Sequence, residues 1–319
     1  MRACGVDDAQ VSSVADNLIW NDQAGRRNHG VERLPILMKR VRAGLIACPC
    51  ELVFEPLSAS TERLDGGGGF GQYVSEQALD RACALARSAG VGVVGVRNSN
   101  FFGTGAYFVQ RAAAQGMISL ALSNSFPKVA AHGGAQAVLG TNPMAFGAPR
   151  RDGRTLMVDM STAAAAGSTI RENRTSADQA AAEPDPRLNA QGVLLPASGA
   201  KGFGLALMVE ILSGVITMAG VSHGVSSMYQ DFERSGDSGH FFLALDVARW
   251  MPLELYFARI DQLADLVVQS GEAGEVRLPG ETRWKALEES AADGLELTAS
   301  TRAALDILAA DCGVTPPWT

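Results

Sequence analysis

The sequence predicts an α/β protein with a mixed sheet flanked by helices, not a Rossmann fold, and a helical subdomain built from the N- and C-terminal segments. Three observations support this. Helical periodicity alternates with short apolar runs through the middle of the chain. Both ends carry helical spacing, and neither glycine-rich segment sits where a dinucleotide-binding turn requires it.

Residues 8–20 place Val11, Val14, Leu18 and Ile19 at helical spacing, and 31–46 repeat the pattern with Leu34, Ile36, Leu37, Val41 and Leu45. The first sixty residues therefore read as helical. Between the two patterns lies the polar joint 23–33, which holds one of the four histidines and is a candidate functional loop. A capping Ser75, an apolar side of Leu79, Cys83 and Leu85, and a terminal glycine predict a helix over 75–90. A buried strand over 91–96, a helix over 104–115 and a strand over 117–122 follow, with further strands near 156–159 and 240–245. Residues 202–219 form the most apolar helix, while 255–270 and 298–311 are amphipathic, the last capped by Thr298. Residues 171–191 have no clear period and read as an exposed or mobile connection. The expected division is a helical subdomain of 1–62 plus 285–319 and an α/β domain of 63–284, to which the resemblance given below assigns cofactor and substrate binding.

The composition narrows the function classes. With 319 residues, 47% hydrophobic and 19% charged, the chain can fill one large or two modest cores. A net charge of -7 gives no footprint for nucleic acid or an anionic membrane. No apolar run reaches the roughly 20 residues that cross a bilayer, and the N-terminus lacks an apolar signal core, so a cytoplasmic location is expected. Five scattered cysteines argue against a disulfide framework, and Cys48-Pro-Cys50 reads as structural, so no metal site is assigned.

Two segments match G-x-G-x-x-G, at 66–71 and 90–95. The first follows a polar stretch and the second lies inside a strand. The turn Pro196-Ala-Ser-Gly-Ala-Lys-Gly202 feeds an apolar helix whose free amide groups suit a phosphate, with Lys201 adding a point charge. A solvated lysine at a helix start fits that segment equally well.

Several segments in order carry a more specific signal: Asn28-His-Gly-Val-Glu-Arg33-Leu-Pro, Arg97-Asn-Ser-Asn-Phe-Phe-Gly103, Leu139-Gly-Thr-Asn-Pro143, Val158-Asp-Met-Ser-Thr162, Gly199-Ala-Lys-Gly202, Gly239-His-Phe-Phe-Leu-Ala-Leu-Asp246 and Arg277-Leu-Pro-Gly-Glu281. This series resembles the type 2 malate/L-lactate dehydrogenase family, from about residue 8 to 311. That family includes sulfolactate and ureidoglycolate dehydrogenases and reductases of piperideine-2-carboxylate and pyrroline-2-carboxylate. The run 140–150 particularly resembles the imino-acid reductases.

The resemblance implies hydride transfer from NADH or NADPH to a small 2-keto acid or cyclic 2-imino acid, in a homodimer. It assigns proton donation to His29, beside Asn28, and the grip on the substrate carboxylate to Arg33, with Thr141 against the substrate. A histidine titrates near neutrality and a guanidinium fork matches a carboxylate, so both roles suit their chemistry. For the cofactor the resemblance points to Phe101, Phe102, Gly103, Thr104, Gly105, Ser123 and Ser125. It adds Asp159, Met160, Ser161, Ala200, Lys201, Arg277, Gly280 and Arg283. His132 and His223 read as structural, and His240 as the start of a strand.

The sequence departs from the family pattern at four places. Asn28 replaces a serine, Phe101 replaces a histidine, Thr169 stands where a lysine or relay aspartate is expected, and the segment around 175–179 is eroded. These changes keep a non-redox descendant (a cyclase, isomerase or lyase) as the alternative expectation.

Overall fold

The computed structural model describes residues 1–165, 185–272 and 274–318. Its main sheet contains β1 (Val53–Ser58), β2 (Thr61–Asp65), β3 (Val91–Ser99), β4 (Met117–Ser123), β7 (Met144–Pro149), β8 (Thr155–Met160) and β9 (Ser238–Asp246). A separate ribbon pairs β5 (Val129–Ala130) with β6 (Ala137–Leu139). The main sheet runs β1-β2-β3-β9-β4-β7-β8. Only β2 and β3 are parallel; the other neighbours in this sheet are antiparallel. The mixed sheet flanked by helices is thus as the sequence predicts.

The parallel pair is joined by α3 (Gly71–Ala89), which crosses the sheet and stops at Gly90. Its buried stripe of Ala78, Leu79, Ala82, Cys83 and Ala86 lies over β3 and β9, and α4 (Gly105–Ala113) covers β4 and β7. Val94, Val96, Phe108 and Phe242 fill the layer between. The glycine pattern at 90–95 has a packing purpose here. A Cβ on Gly92 would lie 1.9 Å from the Ala82 carbonyl oxygen, so the missing side chain lets α3 settle onto β3.

On the opposite face, α5 (Ala200–Glu210) continues into a π turn, Ile211–Val215, and contributes Val209 against Leu122 and Phe241. The sequence predicts one helix over 202–219; the observed helix changes its winding at residue 211. The short α6 (Val247–Trp250) and α7 (Leu253–Val268) follow β9.

The N-terminal region contains α1 (Asp8–Gln23), capped by Asp7, and α2 (Leu34–Arg42), which is shorter than the predicted 31–46. Ser13 on α1 and Tyr107 on α4 both donate to the buried Glu76 carboxylate on α3, which ties the three helices together. At the other end of the chain, α8 (Glu281–Asp293) packs against α1. The last helix, α9 (Ala299–Asp311), begins at Thr298 as the sequence predicts and rests on α2 and on the turn Val31–Arg33.

The reading of the first sixty residues as helical is corrected by the β1–β2 hairpin. Every residue of β1 is exposed, so it shows no apolar alternation, and cross-strand pairs such as Arg63 with Glu55 (3.0 Å) make the segment look polar. Most of the connection expected over 171–191 lies outside the described residues. Among the described residues no helix is long and apolar enough to cross a membrane.

Gly92→Val is expected to cost about 1–3 kcal/mol by forcing α3 off β3. Urea denaturation checks this, and an unchanged midpoint would show that the helix yields freely.

Candidate active site

A cavity of about 340 Å³ opens where β3, β4 and β8 end and β7 and β9 begin. Its floor is made of the segments that leave those strands, Asn100–Thr104, Ser123–Ser125 and Asp159–Ser161. Its roof comes from the joint after α1 and from the loop holding Met228 and Tyr229.

The Asp22 carboxylate accepts from the Val31 amide at 2.8 Å, and a Cβ on Gly30 would overlap that carboxylate, so only glycine permits the approach. Burial raises the Asp22 carboxyl above its ordinary pKa, with the Val31 amide opposing. The chain then turns twice, through Arg27–His29 and Val31–Arg33. The Asn28 amide oxygen lies 2.9 Å from His29 Nδ1, which places the ring proton on Nδ1 and leaves Nε2 as the basic nitrogen. The carbonyl oxygen of the same Asn28 accepts from Arg33 Nε at 2.7 Å. One residue therefore orients both side chains.

His29 stacks on Phe101, with ring centres 5.9 Å apart and 21° between planes. The ring is partly reachable from the cavity but densely surrounded on its other sides. Burial, together with the positive charges of Arg33 and Arg283, pulls its pKa down to about 3. The imidazole is neutral at physiological pH. Arg33 is itself nearly covered, lies 3.0 Å from Glu32 and packs over the Tyr229 ring at 5.6 Å. Lys128 extends over the rings of Phe126 and Tyr229, at 4.1 and 5.7 Å.

Across the cavity, Asp159 and Arg283 form an ion pair whose side chains are both less than a tenth exposed. Burial raises the Asp159 pKa even though Arg283 and Arg26 oppose the shift. Among the described residues, the buried Arg283 Nη1 has no hydrogen-bond partner. Asn142 organises the third wall. Its amide donates to Glu210 at 2.6 Å and its oxygen accepts from the Ser125 amide at 3.2 Å. The Ser125 hydroxyl accepts from the Thr141 amide at 3.1 Å, and Ser161 donates to the Thr141 carbonyl oxygen at 3.1 Å.

Beneath the floor, the fully buried His240 sits between Ser123 and Ser99, with each ring nitrogen 2.9 Å from a hydroxyl, and stacks on Phe102 at 4.9 Å. Burial depresses its pKa to about 3.

The cavity gathers Asn28, His29, Arg33, Thr141, Phe101, Phe102, Gly103, Thr104, Ser123, Ser125, Asp159, Met160, Ser161 and Arg283 from the residues singled out in the sequence. Gly105 starts α4 just behind it. Ala200, Lys201 and Arg277 are exposed outside the lining, and Gly280 lies under β8. The turn ending at Gly280 docks through Pro279, whose carbonyl oxygen accepts from the Met157 amide at 3.0 Å. It thereby aims α8, which delivers Arg283. Thr169 and 175–179 lie outside the described residues. Sequence reasoning missed Arg26, Arg40, Lys128, Tyr229 and the structural role of His240. Only Arg40 left a signal, as an arginine on the otherwise apolar side of α2, where it donates to the carbonyl oxygens of Asp231 and Arg234 at 2.7 and 2.9 Å.

A mixed sheet whose strand ends enclose a histidine, an arginine and further cations in one cavity has the layout of an α/β enzyme. More particularly, the chain belongs to the malate/L-lactate dehydrogenase family, whose profile matches residues 1–306. An L-sulfolactate dehydrogenase of Methanothermobacter thermautotrophicus is 31% identical over 307 residues, which span 93% of this chain and 89% of that one. A (2R)-3-sulfolactate dehydrogenase (NADP(+)) of Chromohalobacter salexigens is 31% identical over 307 residues, spanning 93% and 90%. The solved malate dehydrogenase of Pyrococcus horikoshii superimposes with a TM-score of 0.89 at 29% identity, covering 98% of this chain and 92% of that one.

A pH dependence follows from His240. Its folded pKa, about 3, lies below the ordinary 6.5, so the unfolded chain binds more protons between those values. Stability is therefore full above pH 6.5 and is lost as pH falls toward 3, with a slope of up to about 1.4 kcal/mol per unit from this residue. Urea unfolding at several pH values should show this slope added to that of His29, whose pKa is likewise held at about 3, and His240→Asn should remove the His240 share. Equal slopes in the two proteins would place the acid sensitivity elsewhere.

Proposed function

We propose that this protein passes hydride between NADH or NADPH and a small 2-oxo or 2-hydroxy acid, with His29 handling the proton and Arg33 holding the carboxylate. The observation that carries this reading is the double anchoring of His29 and Arg33 on Asn28 at one cavity wall. A base and a carboxylate clamp held by one residue keep a fixed separation, which suits an acid whose reacting carbon is next to its carboxylate.

Neutral His29 is ready to take the hydroxyl proton of a 2-hydroxy acid at Nε2. In the reverse direction, an entering carboxylate offsets the Arg33 charge that holds the imidazole pKa down, so the ring can carry a proton to the carbonyl oxygen. Among the described lining residues, Arg33, Lys128 and Arg283 outnumber the one acid, Asp159, while Glu32 lies against Arg33 outside the lining. That imbalance favours acids with a second negative group, the chemistry named for the sulfolactate and malate relatives.

When bound, the nicotinamide cofactor supplies or accepts the hydride. The residues proposed to hold it are Phe101–Gly105, Ser123, Ser125, Asp159–Ser161 and Arg283, gathered at the strand ends around the cavity. The turns at Ala200-Lys201 and Arg277–Gly280 would meet its more distant parts. The homodimer expected from the resemblance also belongs to this proposal. The exposed face of α5 and its π turn, with Leu207, Met208, Ile211 and Val215, offers a surface for a second copy. Light scattering should give twice the chain mass, and Ile211→Glu with Val215→Glu should give the monomer. A monomeric parent protein would remove the dimer.

Purified protein should oxidise NADH or NADPH with a 2-oxo dicarboxylate or sulfonate faster than with pyruvate or a cyclic 2-imino acid. His29→Ala and His29→Gln are expected to lower kcat by at least ~10²-fold while the cofactor Kd stays within about threefold. Arg33→Lys should chiefly raise KM. Near-normal turnover in His29→Ala would overturn its role. Cofactor binding without turnover across the panel would favour the non-redox alternative.

A further inference from the structure

Cys4 and Cys312 are 308 residues apart in sequence, yet their Sγ atoms are 3.1 Å apart in the fold. Cys4 ends the first short turn, Arg2–Cys4, and Cys312 caps α9. Arg42, the last residue of α2, reaches both thiols, with Nη2 3.0 Å from Cys312 Sγ and 3.9 Å from Cys4 Sγ. Its Nη1 lies 3.5 Å from the Asp311 carboxylate, which steadies the guanidinium. Both thiols are partly exposed.

The other three cysteines are different. Burial raises Cys48, pushes Cys50 up to about 11 and pushes Cys83 up to about 12. The Cys4 thiol is lowered instead, through hydrogen bonds from Cys312 and Arg42 and the Arg42 charge. The same contact raises Cys312, so of the two sulfurs 3.1 Å apart beside Arg42, Cys4 is the one held as the thiolate that disulfide exchange requires. The sequence, with an odd number of scattered cysteines, gives no hint of this pairing.

We propose that Cys4 and Cys312 form a thiol–disulfide site whose substrate is a low-molecular-weight disulfide. Cys4 loses its proton to solvent, and the thiolate attacks one sulfur of the small disulfide. That bond breaks, one small thiolate leaves and takes up a proton, and Cys4 carries the mixed disulfide. Cys312, deprotonated in turn beside Arg42, attacks the Cys4 sulfur and expels the second small thiol. The two protein thiols lose two electrons, the small disulfide gains them, and the two protons end on the two released thiols. The new bond ties the N-terminal turn to the end of α9, which rests on α2 and on the turn that carries Arg33. Closing so long a loop restricts the unfolded chain, so the oxidised form is the more heat-stable one.

The test incubates the full-length reduced protein with oxidised glutathione, alkylates the remaining thiols and maps the peptides. The expected result is a Cys4–Cys312 cross-linked peptide with two hydrogens lost, Cys83 still alkylated after unfolding, and a Tm raised by about 5 °C or more that dithiothreitol reverses. Cys312→Ser should stop at a stable glutathione adduct on Cys4 with no rise in Tm. Arg42→Ala should slow the first step roughly tenfold. A parent protein that acquires glutathione at Cys48 or Cys50 as fast as at Cys4, or that never forms the cross-link, overturns the proposal whatever the variants do.

Discussion

The ends of three central strands are tied together by one neutral imidazole. His240 on β9 reaches Ser99 at the end of β3 and Ser123 at the end of β4, at 2.9 Å each. The residues that follow those serines, Asn100–Thr104 and Asn124–Ser125, are the cavity floor. Phe102 lies flat on the same ring, so floor and sheet share one stack. A neutral imidazole offers one donor and one acceptor, and two hydroxyls can match either tautomer. A charged ring here would need a buried counter-ion, and Ser99 and Ser123 supply none. The depth that makes the floor rigid is thus the same depth that keeps His240 out of proton chemistry.

His29 shares a low pKa with His240 but not its isolation. Its neutrality is enforced partly by burial and partly by facing guanidiniums, and the second contribution can be cancelled by an anion. Phe101 adds to this balance. At the position where the resemblance leads one to expect a histidine, the aromatic ring stacks on His29 and places no titrating group there. The change reads as a loss in the sequence, whereas in the fold it is a packing contact. Proton transfer, on the proposed reading, then answers to substrate charge rather than to a relay of side chains.

The fold and site were legible in the sequence wherever a local pattern coincided with burial. The strands near 91–96, 117–122 and 240–245 and the helix under 75–90 are such places, because each is covered on at least one face and shows its period. The β1–β2 hairpin was illegible for the opposite reason. The side chains of β1 face solvent, and the hairpin is ordered by pairing β2, with its buried Leu64, to β3 through a parallel register that no local window contains. The motif residues His29 and Arg33 could be placed in one site by resemblance, but their shared anchor on Asn28 could not, since it depends on the double turn that Asp22 and Gly30 enforce. Lys128 and Tyr229 left no trace, because they meet only when the loop after α5 folds back over the strand ends, held there by Arg40.

Arg40 also shows how a polar contact helps hold a roof whose Met228 packs in the same cluster as Leu37 and Met38. Its guanidinium is almost fully buried and donates to two backbone carbonyl oxygens of the loop that carries Tyr229. Burial lowers its pKa, and the nearby Asp231 opposes that shift. Charge-assisted bonds to carbonyl oxygens are strong in a dry interior and have no apolar substitute, because the carbonyl groups would then be left unpaired. Lysine could satisfy one of the two carbonyl groups but lacks the planar fork that spans both. The loop's position over Arg33 is therefore set in part by a polar residue on an apolar helix face, and a pattern that counts only hydrophobic positions overlooks that contact.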